Sequence, residues 1–317
     1  MSRGRITIVN YEYDDLTMER EACAEQGYEF TAGHCETEEE LLELVGESDG
    51  IMNIYARITP EVAGKLKNCK VIARTGVGYD MIDVVACREN GIEVCYVPDY
   101  CVNEVADHAL GLMIALQRKI YQHHQNIQQG IWDYQLVGPV ARLNRQTLGL
   151  IGLGRIGLRF AAKVREVIPN ILVYDPYVAD DVLAGASLTR ASLETIFDQA
   201  HIISLHTPLT DDTRYMINAE SIATMKQQPF LVNVSRGALI DTDALVAALH
   251  AGQIRGAALD VLETEPEIPQ KLIGLENVIL TPHAAWYSQD AEIETRTRAL
   301  ADIFRVLNGE APRDPAP

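Results

Sequence analysis

Short apolar runs alternate with amphipathic segments along the first hundred residues of the chain. Each run has four to six residues, a length typical of strands buried on both faces of a parallel sheet. The segments between them predict helices, and Thr37 with Glu40 predicts a capping box at the start of one helix. This β-α-β-α alternation predicts a small parallel α/β domain. Its predicted strands cover residues 5–10, 28–32, 50–55, 70–73 and 92–97.

A second α/β region follows a predicted linker at residues 97–99. It opens with a helical pattern over 103–120 whose body is mostly apolar. Such a helix is expected to be buried on nearly all sides, at a domain junction or a subunit contact. The loop after it carries Trp132 and Tyr134, which are candidates for burial in a dimer. Apolar strands then recur along the chain, and residues 289–307 predict a last helix.

The region around residue 150 carries the motif on which the functional interpretation depends. The apolar run ends at Ile151 and is followed by Gly152, Gly154 and Gly157, in the spacing G-x-G-x-x-G. These glycines permit a tight turn, the close approach of a pyrophosphate, and close packing of the next helix, predicted over 155–167. The alternative is a glycine-rich turn in another kind of α/β protein. The strand before the glycines and the helix after them favour a dinucleotide site.

Asp175 ends the next predicted strand, 18 residues after Gly157. A carboxylate at this position accepts hydrogen bonds from both ribose hydroxyls of NAD and repels the 2′-phosphate of NADP. The residues that follow, Pro176 and Tyr177, supply no arginine to receive that phosphate. The sequence therefore predicts NAD as the cofactor.

Arg236, Glu265 and His283 each follow an apolar run within a few residues. Because parallel strands end on one edge of their sheet, we expect these residues to gather at the edge that holds the pyrophosphate. A histidine moves a proton near neutral pH, a glutamate at its other ring nitrogen favours the imidazolium, and an arginine binds a carboxylate or polarises a carbonyl. Taken singly, the three would be a helix-cap arginine, a solvent-exposed glutamate and a core histidine. Their shared placement favours a catalytic role.

A second glycine loop follows the predicted strand that ends at Ala73. It contains Arg74, Gly76 and Gly78. Backbone N–H groups beyond the end of a strand suit a carboxylate, and Arg74 lies alongside them. A plain glycine turn with a surface arginine is the alternative, and we favour the binding loop.

The overall composition is that of an ordinary globular protein of 317 residues, with 47% hydrophobic and 23% charged residues. The length suggests two domains. A net charge of −18 disfavours nucleic acid and anionic membranes as partners, because both attract basic surfaces. Six cysteines without a C-x-x-C motif, no signal-peptide pattern and no apolar run of spanning length predict buried thiols in the cytoplasm. Three adjacent ligands at residues 34–36 cannot all face one ion, so no metal site is expected.

Several ordered motifs resemble those of the D-isomer-specific 2-hydroxyacid dehydrogenases. They are LGLIGLGRIG, HTPLTDDTRYMIN, VNVSRGALIDTDAL, GAALDVLETEP and TPHAAW, and RTGVGYDMID resembles the substrate loop of that family. The resemblance covers nearly the whole chain. It implies two Rossmann-like parallel-sheet α/β domains, in which an NAD-binding domain (99–289) is inserted into a split substrate domain (1–98 and 290–317). It also implies a homodimer joined mainly through the NAD-binding domains.

The resemblance further implies an NAD-dependent D-2-hydroxyacid dehydrogenase, acting on small 2-oxo and 2-hydroxy acids. In that role Arg236 anchors the 2-oxo acid, His283 donates and accepts the proton, and Glu265 orients His283. The amides around Gly76, Val77 and Gly78 hold the carboxylate, with Arg74 beside them. The formate-oxidising branch of the family carries Gln where this chain has Glu265, which speaks against formate. The implied cofactor-binding residues are Gly152, Gly154, Arg155, Ile156, Gly157, Asp175, His206, Thr207, Pro208, Thr213, Val234, Ser235, Arg236, Asp260 and His283.

The loop after His283 departs from the glycine-containing form that is common in the family. It reads Ala284-Ala285-Trp286, and together with Arg74 it is similar to the carboxy-terminal binding protein corepressors. Those corepressors keep the dehydrogenase fold, so the resemblance admits a second function, an NAD(H)-sensing scaffold that binds partner proteins. Trp286 either packs beside the domain hinge or walls the substrate pocket, and we expect the latter.

Overall fold

The computed structural model describes residues 2–317 and divides into two compact units. One unit is formed by the chain up to Tyr100 together with Ser288–Pro317. The other unit is Cys101–Tyr287. Each unit contains a parallel sheet with helices between its strands, which confirms the predicted fold class. Within residues 2–317, no helix has the length and apolar character needed to cross a membrane.

The strands and helices are numbered in chain order. The strands are β1 (Arg5–Val9), β2 (Glu29–Gly33), β3 (Gly50–Asn53), β4 (Val71–Arg74), β5 (Glu93–Cys95), β6 (Thr147–Ile151), β7 (Asn170–Tyr174), β8 (Thr189–Arg190), β9 (Ile202–Leu205), β10 (Phe230–Asn233), β11 (Gly256–Leu259) and β12 (Val278–Leu280). The helices are α1 (Thr17–Glu25), α2 (Glu38–Val45), α3 (Pro60–Lys65), α4 (Val84–Glu89), α5 (Val102–Gln117), α6 (Ile120–Gln128), α7 (Arg155–Val164), α8 (Asp180–Gly185), α9 (Leu193–Gln199), α10 (Ala219–Ala223), α11 (Thr242–His250) and α12 (Gln289–Leu307).

The first unit is built on a five-stranded parallel sheet with the order β2-β1-β3-β4-β5. All five predicted strands are present. The side chains of Ile8, Ile51 and Ile72 are fully buried, because helices and loops cover both faces of these strands. The predicted capping box is also present at the start of α2, where the Thr37 hydroxyl accepts the Glu40 amide and the Glu40 carboxylate accepts the Thr37 amide.

The last segment of the chain completes this unit. Helix α12 packs on β3 and β4, and beyond it the chain runs antiparallel beside β5, where the Ala316 amide donates to the Val94 carbonyl at 2.8 Å. A buried ion pair joins α12 to α1, with Arg296 Nε and Nη2 donating to the two Glu19 carboxylate oxygens at 2.6 and 2.8 Å. The Arg296 guanidinium also lies 4.2 Å from the ring centre of Tyr13. Residues from distant parts of the sequence thus form one core.

The second unit contains a seven-stranded parallel sheet with the order β12-β11-β10-β9-β6-β7-β8. The chain moves outward from β6 to β8 and then returns to the other side of β6 at β9. In a doubly wound sheet, this reversal opens a crevice outside the carboxyl ends of β6 and β9. Fully buried Leu150, Ile203 and Leu231 form the centre of the sheet.

Two helix predictions in this unit are wrong. Helix α5 ends at Gln117, because Lys119 adopts a φ of 54°, outside the range of a right-handed helix, and a separate helix α6 follows. Within this single chain, helix α5 also has an exposed stripe at Asn103, Asp107 and Gly111, so the chain by itself does not bury the helix on nearly all sides. Its burial at a subunit contact stays a prediction. Helix α7 ends at Val164, three residues earlier than predicted.

The buried Glu19–Arg296 pair yields a stability prediction. Replacing Glu19 by Ala leaves the Arg296 guanidinium with Glu292 and the Asp15 carbonyl but without its fully buried partner, so the free energy of unfolding should fall by up to about 3–5 kcal/mol. Urea unfolding followed by circular dichroism measures the loss. The matched control is Glu29→Ala, since Glu29 pairs with Arg5 at the surface and its side chain is 52% exposed. That change should cost less than about 1 kcal/mol. Equal losses in the two variants would contradict the prediction.

Candidate active site

The carboxyl ends of the strands of the second unit meet at one edge of its sheet, because every strand pair in this sheet is parallel. The loops after β6, β7, β9, β10, β11 and β12 all begin at this edge. These loops carry the residues of the second unit that the sequence assigns to the cofactor and to catalysis. The site is therefore assembled from loops that are far apart in sequence.

The glycine loop lies between β6 and α7. Gly152 has a φ of 92°, and a Cβ there would lie 2.4 Å from the His206 carbonyl oxygen. A Cβ at Gly157 would lie 2.4 Å from the Gly152 oxygen. At Gly154, the N-cap of α7, a Cβ would meet no atom within 4 Å. The open space at Gly154, with the first amides of α7 from Arg155 onward and the positive end of the helix dipole, fits a pyrophosphate.

Asp175 fixes the shape of this loop from the end of β7. Its Oδ2 accepts the Leu153 amide at 2.7 Å, and its Oδ1 accepts the amides of Tyr177 and Val178 at 2.9 and 3.1 Å. A cleft of about 370 Å³ opens beside this carboxylate. Its position next to the glycine loop fits the adenosine half of a dinucleotide. The cleft is lined by Tyr174, Asp175, Pro176, Arg190, Ala191 and Ser192.

The expectation that no arginine lies near Asp175 is wrong. Arg190 lines the same cleft, and its Nη1 donates to the Asp175 carbonyl at 2.9 Å. The short strand β8 pairs with β7 and brings Arg190 back to this position, which residues 176 and 177 could not indicate. The guanidinium is also held by the Asp180 carboxylate, with Nε and Nη2 at 2.9 and 2.7 Å from Oδ1. Asp180 partly offsets the charge of Arg190, and the effect of Asp175 on the ribose stays a prediction.

The ring of His206, which follows β9, is turned into the protein. It stacks on Phe160 with ring centres 4.8 Å apart, and its Nε2 lies 2.8 Å from the Ser204 hydroxyl. Burial lowers the pKa of His206 to about 3, so the ring is neutral at physiological pH. A role of His206 in cofactor binding therefore falls to its backbone, which lies against Gly152.

Hydroxyl groups fix the two loops after β9 and β10. Thr213 Oγ1 donates to the Pro208 carbonyl at 2.7 Å and accepts the Thr210 amide at 2.8 Å. Ser235 Oγ donates to the carbonyl of Leu205, the last residue of β9, at 2.9 Å. Thr207 and Val234 lie in the same two loops, and Val234 is only 9% exposed. The polar groups assigned to the cofactor here also hold their own loops in shape.

Glu265 and His283 form a hydrogen-bonded pair. The distance between Glu265 Oε2 and His283 Nδ1 is 2.6 Å, and Glu265 Oε1 accepts the Leu262 amide at 2.8 Å. Burial alone would raise the pKa of Glu265. The hydrogen bond and charge of His283, the Leu262 amide and the charge of Arg236 outweigh burial and hold that pKa below its ordinary value. Glu265 is therefore a carboxylate at neutral pH, and Nε2 is the ring nitrogen of His283 that it does not engage.

Arg236 is brought close to this pair by the turn after β10. Asn233, fully buried at the end of β10, donates from Nδ2 to the Arg236 carbonyl at 2.8 Å. The next residue, Gly237, presses against Leu262, since a Cβ there would lie 1.9 Å from the Leu262 carbonyl. Because the Leu262 amide binds Glu265, this close approach places the Arg236 turn beside the Glu265 segment.

Asp260 holds the loop that carries His283. This carboxylate is 1% exposed, and its Oδ1 accepts the Thr281 hydroxyl at 2.5 Å and the Ala284 amide at 2.9 Å. Its Oδ2 accepts the Ala285 amide at 2.9 Å, and its backbone carbonyl accepts the His283 amide at 2.8 Å. His283 has a φ of 52°, a left-handed conformation that costs about 1 kcal/mol or more in a residue other than glycine. The contacts of Asp260 sustain this conformation.

Trp286 lies in the same loop and is half-buried. Its ring meets Tyr287 edge-on, with ring centres 5.6 Å apart and planes at 89°. Ala285, directly before it, is only 4% exposed. The expectation that Trp286 walls the substrate pocket stays a prediction.

The glycine loop of the first unit offers fewer free backbone amides than the sequence indicated. Arg74, the last residue of β4, donates from Nε to the Gly78 carbonyl at 2.8 Å and also bonds the Thr75 carbonyl, so it braces its own loop. The Gly76 amide already donates to the Arg74 carbonyl at 2.9 Å. Within residues 2–317, the amides of Val77 and Gly78 have no acceptor. These two amides are therefore the groups of this loop that a carboxylate can reach.

Sequence reasoning missed the polar residues that hold the site in place. Asn233 ends β10 and Thr281 directly follows β12, so polar residues at the ends of apolar strands were the available signal. His108 had no such signal, because it belongs to α5 and meets Thr281 only through the fold, with Nε2 and Oγ1 at 3.0 Å. Arg190 was missed for the same reason.

The second unit thus combines a cradle that fits a dinucleotide with an acid/base pair and an arginine. A histidine paired with a carboxylate delivers a proton to an oxygen or removes one from it. An arginine beside them binds a carboxylate or polarises a carbonyl. This combination suits hydride transfer between a nicotinamide and a hydroxy or oxo acid.

Known proteins share both this sequence and this fold. Residues 110–285 match the sequence profile of the family described as D-isomer specific 2-hydroxyacid dehydrogenase, NAD binding domain. The chain is 40% identical over 276 residues to a D-3-phosphoglycerate dehydrogenase of Methanocaldococcus jannaschii, covering 86% of this chain and 52% of that protein. It is 35% identical over 314 residues to a hydroxypyruvate reductase of Thermotoga maritima, covering 97% of this chain and 99% of that protein.

Solved structures agree with these matches. A D-lactate dehydrogenase from Aquifex aeolicus, complexed with NAD and lactic acid, superposes with a TM-score of 0.86 at 28% identity, covering 96% of each chain. The chain spans about half the length, 52% and 49%, of the D-3-phosphoglycerate dehydrogenases that it matches. These similarities confirm the predicted family and NAD as the cofactor. The chain belongs to the D-isomer specific 2-hydroxyacid dehydrogenases.

Proposed function

We propose that this protein reduces small 2-oxo acids to D-2-hydroxy acids with NADH. Oxidoreduction of 2-hydroxy acids with NAD is the activity for which the family is named. The observation that carries the proposal is the 2.6 Å pair of Glu265 and His283, on the same sheet edge as the glycine loop. A proton donor and a dinucleotide cradle are the two parts that such a reduction needs.

In this proposal, separate residues deliver the proton and bind the substrate during the reduction. Bound NADH supplies the hydride. Negative charge develops on the carbonyl oxygen during reduction, so a proton must reach that oxygen in the same step. His283 carries this proton on Nε2, because its Nδ1 is bonded to the carboxylate of Glu265. Arg236 binds the substrate's carboxylate or polarises its carbonyl.

The two units have separate roles in the proposal. In the unit Cys101–Tyr287, the glycine loop and Asp175 are the proposed groups for NAD. In the other unit, the amides of Val77 and Gly78 are the proposed groups for a carboxylate. A homodimer through the NAD-binding units is supported by its apolar loop, in which Trp132 is 92%, Tyr134 76% and Leu136 60% exposed. A cytoplasmic location is supported by six free cysteines, five of them buried.

Turnover across a panel of 2-oxo acids tests the proposed activity. NADH consumption is measured with glyoxylate, hydroxypyruvate, pyruvate, phenylpyruvate and 3-phosphohydroxypyruvate, and at least one should be reduced. The control is His283→Gln, which should lower kcat by about a hundredfold or more, because general acid catalysis is worth that much. NADH binding without turnover of any acid would favour the alternative, an NAD(H)-sensing scaffold.

Removing the charge of Glu265 should shift the pH dependence of both directions of the reaction. Glu265→Gln keeps a hydrogen-bonding group but no longer favours the imidazolium of His283. Reduction needs the imidazolium, so its rate should begin to fall at a lower pH. Oxidation needs the neutral ring, so its acid limb should also move to lower pH. The measurement is kcat/KM against pH in each direction.

The matched control for this shift is Glu263→Gln. Glu263 belongs to the same segment, but its carboxylate accepts the Tyr215 hydroxyl and does not bond His283. Both limbs of the pH profile should stay in place in this variant. Unmoved limbs in Glu265→Gln would show that Glu265 is not coupled to His283 and would remove the proposed acid/base roles.

Cofactor preference should depend on the opposed charges of Asp175 and Arg190. Asp175→Asn removes the negative charge and keeps one oxygen as an acceptor for the loop amides, so the KM for NADH should rise about tenfold and the KM for NADPH should fall. Adding Arg190→Gln to this variant should reverse the gain with NADPH, because the arginine then left beside the ribose attracts the 2′-phosphate. An unchanged ratio of the two KM values in Asp175→Asn would show that Asp175 does not select the cofactor.

A further inference from the structure

His108, in the middle of α5, reaches the loop that carries His283. Its Nε2 lies 3.0 Å from Thr281 Oγ1 and 3.5 Å from Asp260 Oδ1. The Thr281 hydroxyl has one proton, which it donates to Asp260 at 2.5 Å. The hydrogen between His108 and Thr281 therefore belongs to His108 Nε2. His108 begins a directed chain of hydrogen bonds that ends on a buried carboxylate.

The carboxylate of Asp260 bonds residues on both sides of His283 in the chain. Asp260 accepts hydrogen bonds from Thr281, two residues before His283, and from the amides of Ala284 and Ala285 directly after it. A buried carboxylate requires its oxygens to be satisfied, so the orientation of Asp260 is fixed by these donors together. If the Thr281 hydroxyl turned to another acceptor, Asp260 would lose one of its three donors, and its hold on the loop amides would be less rigid.

We propose that His108 is a positioning residue for His283, acting through Thr281 and Asp260. The N–H of His108 occupies the Thr281 oxygen, so the Thr281 proton stays directed at Asp260. Asp260 then keeps the loop amides, and with them the left-handed conformation of His283. The inference rests on the proposed role of His283 as proton donor, and it assigns a part in that role to helix α5, whose sequence carries no catalytic motif.

Helix α5 is suited to this task because it is anchored to the rest of the second unit. It packs against β10, β11 and β12 as well as against α7. Arg159 of α7 donates to Asn103 at 2.7 Å, and Lys163 of α7 pairs with Asp107 at 2.5 Å, one residue before His108. A side chain on such a helix holds a loop more firmly than a neighbour in the same loop would.

The test uses Trp286 as a reporter of the same loop. The chain has two tryptophans, so Trp132→Phe leaves Trp286 as the single one. In this background His108→Leu should lower kcat for reduction about tenfold, because displacing an acid/base group by a fraction of an ångström reduces rate. The KM for NADH should change less than twofold, since the glycine loop is untouched. Acrylamide should quench Trp286 at least twofold more efficiently in this variant.

Rescue and coupling separate positioning from simple packing. His108→Gln keeps an N–H donor near the position of Nε2, so kcat and Trp286 quenching should return to within about twofold of the parent. Thr281→Val removes the hydroxyl at constant shape and should lower kcat to a similar extent. The double variant His108→Leu, Thr281→Val should be no worse than either single variant, since both break one chain of contacts. The matched control is His124→Leu on α6, which should change none of these values.

Each outcome decides the inference. Normal kcat and normal Trp286 quenching in His108→Leu would overturn it, as would additive effects of the two single variants. If His108→Leu does not fold, Thr281→Val and His108→Gln still test the proposal. A Thr281→Val variant with parental kcat and parental Trp286 quenching would overturn it. If His283→Gln reduces 2-oxo acids normally, the proposed function fails, while the quenching of Trp286 still tests whether His108 holds the loop.

Discussion

The parallel direction of the seven strands in the second unit is the constraint on which the site depends. Each strand enters its sheet from the same side, so each loop that follows a strand emerges at the same edge. The glycine loop after β6, Asp175 after β7, Arg236 after β10 and His283 after β12 therefore lie along the same edge despite their separation in sequence. Any antiparallel strand in this set would carry its loop to the opposite edge and remove its residue from the site.

Within that edge, the fine geometry depends on polar side chains that hold the backbone, buried at Asp260 and Asn233 and half-buried at Asp175. Asp260 places the His283 loop, Asn233 holds the turn at Arg236, and Asp175 holds the glycine loop through the Leu153 amide. Each of these side chains makes a hydrogen bond with a backbone amide or carbonyl. An apolar residue in its place would leave that backbone group unpaired. The residues that face the chemistry are thus kept in place by others whose own hydrogen bonds are internal. Loss of such a group is expected to impair activity before it unfolds the protein.

Much of the fold followed from the local pattern, since continuous apolar runs and capping signals act within a few residues. The capping box at Thr37 and Glu40, the five strands of the first sheet and the helix over 289–307 are where the sequence indicates them. The end of α5 was misplaced because the left-handed conformation of Lys119 is not encoded by an obvious breaker such as glycine or proline. The exposed stripe on α5 contains the polar residues Asn103 and Asp107, but the apolar body of the helix outweighed them in the sequence pattern.

Spacing along the chain was enough to indicate the class of fold, the dinucleotide loop and the strand ends after which Arg236, Glu265 and His283 follow. The folded chain was needed to show that Arg190 lies beside Asp175, that the His206 ring is buried on Phe160, and that the Gly76 amide is already bonded. The contact of His108 with Thr281 likewise became visible only in the fold. These contacts join elements distant in sequence, and a hydrogen bond depends on distances of a few tenths of an ångström, which periodicity and composition do not specify.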